Sequence, residues 1–194
     1  KNVKNIPGWI GELTHEAIGK LLQGKKDPEL SIPDAKNLVK FHWGNAVENA
    51  KRFKNGESLK TKQDLLFLEH IDKEPDPKTL EYVMSQIGDC IQSVIDNGVH
   101  DTFREARQSG RYSFVETELG DEKFKEMAIF YQFKDSDMTF KVYSMLDCVV
   151  EQEKDSYVIY DWKTGFLGEQ KEEKPLQIRL YAKWLVDKLA LTDE

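Results

Sequence analysis

The spacing of apolar residues along the chain changes period near residue 110. Before that point apolar side chains recur every three or four positions, as on one face of an amphipathic helix. Glycine or an Asn-Gly pair closes most of these segments, which is typical of helix ends. The polar stretch 55–62 predicts a loop. The predicted helices are 9–22 before Gly24, Pro33 to Phe53, Pro77 to Asn97-Gly98, and 99–108 before Ser109-Gly110.

After residue 110 β-branched and aromatic residues dominate, as they do in strands. The predicted strands are Ser113–Leu119, Lys123–Phe133, Met138–Gln152 and Ser156–Thr164, separated by turn signals at Gly120-Asp121, Asp135–Asp137 and Glu153–Asp155. A last helix is predicted over 175–190, with Pro175 in its first turn. We therefore expect an α/β (α+β) fold with a helical N-terminal half and an antiparallel-rich sheet flanked by helices.

Length and composition indicate one globular domain over 1–194, mainly helical over 1–110 and with the sheet and closing helix over 111–194. No apolar run approaches the roughly 20 residues of a membrane span, and no secretory signal pattern is present. We expect a cytoplasmic protein that does not enter a membrane. The chain starts at Lys1 rather than Met, so a longer parent protein is left open.

The formal net charge of −7 argues against a protein that coats nucleic acid by bulk electrostatics. It is compatible with an enzyme that meets DNA through one local basic face and a bound metal. Two basic clusters can follow a DNA backbone, although a solvated charged face is the favoured interpretation of each. They are Lys51, Arg52, Lys54, Lys60 and Lys62, and Arg104, Arg107 and Arg111.

The two cysteines, Cys90 and Cys148, lie in apolar surroundings without a Cys or His close by. This favours two buried thiols of a cytosolic protein over a disulfide or a metal site. An iron–sulfur cluster is excluded because it needs four thiolates.

The segment 147–163 predicts a hairpin that brings charged residues together. If the turn lies at 153–155, the hairpin is centred on Lys154, and Asp147 then lies opposite Asp161. Directly opposed residues share a face of the sheet. Lys163 lies two residues beyond Asp161 and therefore on that same face.

Two adjacent carboxylates repel each other, and a fold keeps such a pair when a proton or a divalent cation lies between them. Oxygen ligands suit Mg²⁺ or Mn²⁺. A divalent cation held by two carboxylates, with a lysine beside it, can catalyse hydrolysis of a phosphodiester. The alternative is a surface salt bridge between Asp161 and Lys163, because an isolated D-x-K triplet matches by chance.

Three segments together resemble the nuclease motif of RecB-type enzymes in the PD-(D/E)XK superfamily. They are SMLD at Ser144–Asp147, IYDWKTG at Ile159–Gly165 and QIRLY at Gln177–Tyr181. That family has G-x-I/L-D, I-x-D-Y-K-T-G and Q-x-x-x-Y. In this chain Ser144 replaces the glycine and Trp162 the tyrosine, and neither change touches a liganding side chain.

The resemblance implies a restriction-endonuclease-like core and a metal-dependent, exonuclease-like deoxyribonuclease that uses Mg²⁺ or Mn²⁺. It implies metal ligands at His15, Asp147, Asp161, the backbone carbonyl of Trp162 and, more loosely, Glu116; a catalytic lysine at Lys163; and Gln177 and Tyr181 as residues that position the lysine or the scissile phosphate.

Each of the less specific residues has a structural alternative. His15 alone would be a half-buried histidine at the edge of an apolar helix face. Glu116 would be an outward-facing strand carboxylate. Tyr181 would simply pack with Trp184 on one face of the last helix.

The resemblance further implies DNA as a partner, a setting in DNA repair, recombination or phage-type DNA processing, and a helicase or other recombination protein as an associate. Three rivals stay open. They are a catalytically inactive DNA-binding module on the same fold, a protein-interaction module that works through the helical region 25–110, and a hydrolase of small phosphates. The sequence does not distinguish exonuclease from endonuclease action, and it does not determine the number of metal ions.

Overall fold

A computed structural model describes residues 2–57, 65–67, 70, 73, 76–119, 128–132, 139–143, 146–163 and 174–189. Over these residues the chain is a mixed α/β protein with a helical N-terminal half, which confirms the predicted fold class. The helices are α1 (Ile6–Leu22), α2 (Pro28–Lys54), α3 (Pro77–Asp96), α4 (Val99–Gln108) and α5 (Lys174–Leu189). The strands are β1 (Asn2–Lys4), β2 (Leu65–Phe67), β3 (Ser113–Val115), β4 (Ala128–Gln132), β5 (Thr139–Tyr143), β6 (Cys148–Glu153) and β7 (Ser156–Tyr160).

The chain divides into two compact units. The first comprises Lys1–Asp101 and Trp162–Gly165, and the second comprises Thr102–Asp161 and Phe166–Glu194. The single domain expected over 1–194 stays a prediction.

The first unit has its core among α1, α2 and α3, beside a short parallel pair in which Val3 of β1 lies opposite Leu66 of β2. Phe67 is fully buried at the centre of an aromatic cluster. Its ring centroid lies 4.7 Å from that of Trp9 and 5.6 Å from that of Trp43. Neither β1 nor β2 is predicted by the sequence pattern, because three-residue strands are too short to show a period.

The second helix corrects the predicted start at Pro33. It begins at Pro28, where the side chain of Asp27 accepts a hydrogen bond from the backbone N–H of Glu29 at 3.0 Å. An acidic cap followed by proline in the first turn is a strong helix start. Pro33 lies inside the helix, where its missing N–H removes one backbone bond without ending the helix.

The second unit contains the three-stranded antiparallel sheet β3-β6-β7 and the separate antiparallel pair β4-β5. Phe114, Val149 and Ile159 are aligned across the three strands, so their side chains lie on one face of the sheet. This face packs against α5 through Tyr181 and Trp184, which form one buried cluster with Phe114, Leu146, Val149 and Leu185.

Several predicted strand bounds are wrong. The single strand Met138–Gln152 is two strands, because β5 pairs with β4 whereas β6 pairs with β3 and β7 in another sheet. The strand predicted over Ser113–Leu119 ends at Val115 and continues as a 3₁₀ turn. Ser156–Thr164 ends as a strand at Tyr160. The predicted turns Gly120-Asp121 and Asp135–Asp137, and also Lys60, Lys62, Ser144, Thr164 and Gly165, lie outside the described residues.

Candidate metal centre at one edge of the sheet

The hairpin of β6 and β7 has the register that the sequence predicts. Cys148 lies opposite Tyr160, and Val150 lies opposite Val158. The turn itself is shorter than predicted, because Glu153 pairs with Ser156 after an irregularity between Glu151 and Glu153. The irregularity adds one residue, Gln152, to β6 next to the turn. The pairs beyond it, from Glu151–Tyr157 to Cys148–Tyr160, are therefore symmetric about Lys154, as predicted. Asp147 directly precedes β6 and Asp161 directly follows β7, so both lie at the same end of the hairpin.

The third strand brings another carboxylate to that edge. Val115, the last residue of β3, lies opposite Cys148. Glu116 follows as the first residue of the 3₁₀ turn Glu116–Glu118, and its backbone N–H donates to the carbonyl oxygen of Asp147 at 2.9 Å. The expectation of a strand position for Glu116 is therefore wrong, since the chain turns after Val115. The result is a row of three acidic residues: Glu116, Asp147 and Asp161.

The carboxylates of Glu116 and Asp147 are close neighbours. One carboxylate oxygen of Glu116 lies within 4.8 Å of one carboxylate oxygen of Asp147, and Asp147 is only 4% exposed. Two like charges at this distance repel, and burial strengthens the repulsion. Oxygen donors at such spacing are the ligands that small, hard divalent cations prefer. The donor set of this edge therefore fits a divalent cation that prefers oxygen ligands.

Two residues of α5 make a hydrogen-bond chain to Asp161. The hydroxyl of Tyr181 donates to Oδ1 of Asp161 at 3.1 Å, and Nε2 of Gln177 donates to the same hydroxyl. Burial, and then the carboxylate of Asp161, raises the pKa of the Tyr181 phenol. Tyr181 therefore stays protonated at neutral pH and remains a donor.

The position of Tyr181 depends on the packing of α5 against the sheet. Tyr181 is 5% exposed, and its neighbour Trp184 lies with its ring centroid 5.5 Å from that of Phe114. The two interpretations of Tyr181 are therefore compatible with each other. Its ring packs in the buried cluster, and its hydroxyl donates a hydrogen bond to Asp161.

Arg107 fixes the turn that carries Glu116, a role that the sequence does not predict. Its guanidinium forms an ion pair with Glu118, donates from Nε to Oγ of Ser113 at 3.2 Å, and lies 4.6 Å from the ring centre of Phe103. Local spacing gives no signal for a pair that is 11 residues apart. Arg111, from the same predicted basic cluster, donates to the carbonyl oxygen of Gln152.

Three predicted site residues lie in the first unit. His15 is half-buried on α1. Trp162 is half-buried and Lys163 is exposed, and both follow the end of β7. Their roles as metal ligands and as the catalytic lysine stay predictions.

Both cysteines are free thiols. Cys148 is fully buried beside Asp147, and burial followed by that carboxylate raises the pKa of its thiol. Cys90 is only half-buried, which corrects the expectation that both are buried. Burial, and then Asp89, raises the pKa of Cys90. Both groups are therefore neutral thiols rather than reactive thiolates.

Among the described helices none is both long and apolar enough to cross a membrane. No curated protein and no solved structure matches the chain. The family model of the PD-(D/E)XK nuclease superfamily matches residues 4–193.

Proposed function

Because the chain belongs to the PD-(D/E)XK nuclease superfamily and has the mixed α/β architecture of its restriction-endonuclease-like fold, we propose that it is a metal-dependent deoxyribonuclease. One observation carries the proposal: Glu116, Asp147 and Asp161 lie in a row at one edge of the sheet, each next to the end of a strand. Members of this superfamily are generally nucleases that use divalent metals.

The cation is Mg²⁺ or Mn²⁺. The carboxylates of Asp147 and Asp161 would be its main ligands, together with Glu116, the imidazole of His15 and the backbone carbonyl of Trp162. When bound, the ion supplies a Lewis acid that neutralises negative charge on the phosphate. The ligand set consists of hard oxygens and one imidazole, which suits these two ions.

Lys163 is the proposed catalytic lysine. It follows Asp161 by two residues, and its side chain is exposed, so it is accessible to a polyanion. A fixed ammonium group beside the scissile phosphate stabilises the charge that develops in the transition state and orients the attacking nucleophile. Gln177 and Tyr181 complete the site from α5.

The finer assignment is a RecB-type, exonuclease-like enzyme in DNA repair, recombination or phage-type DNA processing. It is supported by the resemblance of three motifs, SMLD at Ser144–Asp147, IYDWKTG at Ile159–Gly165 and QIRLY at Gln177–Tyr181. The same resemblance supports DNA as the substrate, a helicase or other recombination protein as an associate, and a cytoplasmic location.

The test is cleavage of linear and closed-circular DNA with Mn²⁺. The far end of the same hairpin offers matched controls, because Lys154 and Asp155 are exposed there. We expect Asp161→Asn and Lys163→Ala to lower the cleavage rate by roughly 10²-fold or more. Asp155→Asn and Lys154→Ala should cleave like the wild type.

The two site variants should differ in metal binding. Lys163→Ala should keep the Mn²⁺ affinity of the wild type in a calorimetric titration, whereas Asp161→Asn should lose it. Digestion of linear DNA alone would support the exonuclease assignment. Binding of DNA without cleavage by the wild type would overturn the proposal in favour of an inactive DNA-binding module, and turnover of mononucleotides regardless of polymer length would favour a phosphate hydrolase.

A further inference from the structure

A chain of hydrogen bonds leads from the surface of α5 to a proposed metal ligand. Gln177 and Tyr181 lie one helical turn apart, so their side chains are neighbours on one face of the helix. The amide of Gln177 contacts the hydroxyl of Tyr181, and that hydroxyl contacts Oδ1 of Asp161 at 3.1 Å. The acceptor of the hydrogen bond from the Tyr181 hydroxyl is thus a carboxylate oxygen.

The direction of these bonds follows from the donors and acceptors available. The hydroxyl of Tyr181 has a single proton, and it donates this proton to Oδ1 of Asp161. The hydroxyl oxygen is then an acceptor, and Gln177 must present its NH₂ group rather than its carbonyl. The chain therefore has one polarity, with donation from Gln177 through Tyr181 to Asp161.

From this geometry we infer that Tyr181 is a positioning residue that restricts Asp161 to binding the cation through one carboxylate oxygen. The inference rests on the proposed function. A hydrogen bond from the buried phenol fixes the rotation of the carboxylate and engages Oδ1. Hydrogen bonds from outer groups orient metal ligands in this way, and losing one typically weakens metal affinity by about 10–100-fold.

Coordination through one oxygen has a consequence for metal choice. Mg²⁺ and Mn²⁺ favour octahedral sites of single oxygen atoms, whereas the larger Ca²⁺ accepts carboxylates through both oxygens. Tyr181 therefore selects the smaller ions. The ring of Tyr181 has little freedom to move, because it is 5% exposed within the cluster of Phe114, Leu146 and Trp184.

The experiment measures Mn²⁺ and Ca²⁺ affinity by calorimetry, without DNA, for the wild type, Tyr181→Phe, Gln177→Leu and Asp161→Asn. The matched control is Tyr157→Phe, which removes a hydroxyl at the edge of the same apolar cluster. We expect Tyr181→Phe to bind Mn²⁺ about 10–100-fold more weakly and to lose less affinity for Ca²⁺. Gln177→Leu should show a smaller loss, because the bond from Tyr181 to Asp161 remains, and Tyr157→Phe should equal the wild type.

Far-UV circular dichroism before each titration verifies that a variant is folded, and Gln177→Leu, at a half-buried position, keeps the test decisive if Tyr181→Phe does not fold. The inference is overturned if Tyr181→Phe keeps wild-type Mn²⁺ affinity while Asp161→Asn loses it, or if Mn²⁺ and Ca²⁺ affinities fall by the same factor. In either case the proposed nuclease site stands. Absence of Mn²⁺ binding by the wild type would overturn the proposed function itself.

Discussion

At the scale of single residues, Arg107 has a structural role that replaces the one suggested by its charge. Its guanidinium contacts Ser113, Glu118 and the ring of Phe103 at once. These contacts connect α4 to the start of β3 and to the turn that carries Glu116. Arg107 therefore stabilises the edge of the sheet rather than being an uncommitted cation on a DNA-facing surface.

Arg107→Ala is expected to lower the free energy of unfolding by about 1 kcal/mol, since it removes a partly exposed ion pair and a cation–π contact. Urea denaturation followed by circular dichroism measures the effect. Arg179→Ala, at an exposed arginine on α5, is the control and should change stability by less than about 0.5 kcal/mol. Equal values for the two variants would contradict the assigned role.

Among the elements, the helices α1, α2 and α3 begin in the same way. Asn5, Asp27 and Asp76 each accept a hydrogen bond from a backbone N–H in the first turn, and proline occupies one of the first two helical positions in each helix. The cap satisfies a backbone donor that has no partner inside the helix. Proline there removes a donor that would otherwise also need one.

The cap of α3 allows a clean test. Asp76→Ala removes the acceptor that lies 2.9 Å from the backbone nitrogen of Lys78 and should destabilise the protein by about 1 kcal/mol. Asp76→Asn keeps a side-chain oxygen that can accept this hydrogen bond, so it should lower the free energy of unfolding by only about 0.3 kcal/mol. Thermal unfolding of both variants provides the measurement. A similar loss in both would mean that the negative charge, and not the hydrogen bond, stabilises the helix start.

At the scale of the whole molecule, the described residues form two units, each with buried apolar side chains of its own. In the first unit α3 contributes Val83, Ile87 and Ile91, all fully buried. In the second unit α5 covers one face of the sheet while its own outer face exposes Ile178. The acidic row is part of the second unit, so the stability of that sheet determines the geometry of the carboxylates.

The two isoleucines give a matched pair for the contribution of burial. Ile87→Ala should lower the free energy of unfolding by roughly 2–5 kcal/mol, because it leaves a cavity in a packed core. Ile178→Ala, at a position that is 61% exposed, should change it by less than about 0.5 kcal/mol. Urea denaturation monitored by circular dichroism distinguishes them, and a small effect of Ile87→Ala would show that α3 is not packed as described.

Much of the fold follows from local pattern. The change of period near residue 110 predicts helices before it and strands after it, and glycine marks helix ends at Gly24 and Gly98, where φ is 67° in both. The bounds are less well predicted. Pro33 suggests a helix start but lies inside α2, because Asp27 and Pro28 form a better start upstream. An unbroken run of strand-forming residues hides the division between β5 and β6, since both have the same local preference.

The register of the β6–β7 hairpin is predictable from the sequence alone, because turn position and the period of two are local properties. It follows that Asp147 and Asp161 lie at one end of the hairpin. Two contacts follow only from the folding of distant segments: the backbone N–H of Glu116 donates to the carbonyl oxygen of Asp147, and Tyr181, 20 residues from Asp161, donates to its carboxylate. These contacts depend on how β3 and α5 pack against the hairpin. Packing is a property of surfaces distant in sequence, and no local spacing encodes it.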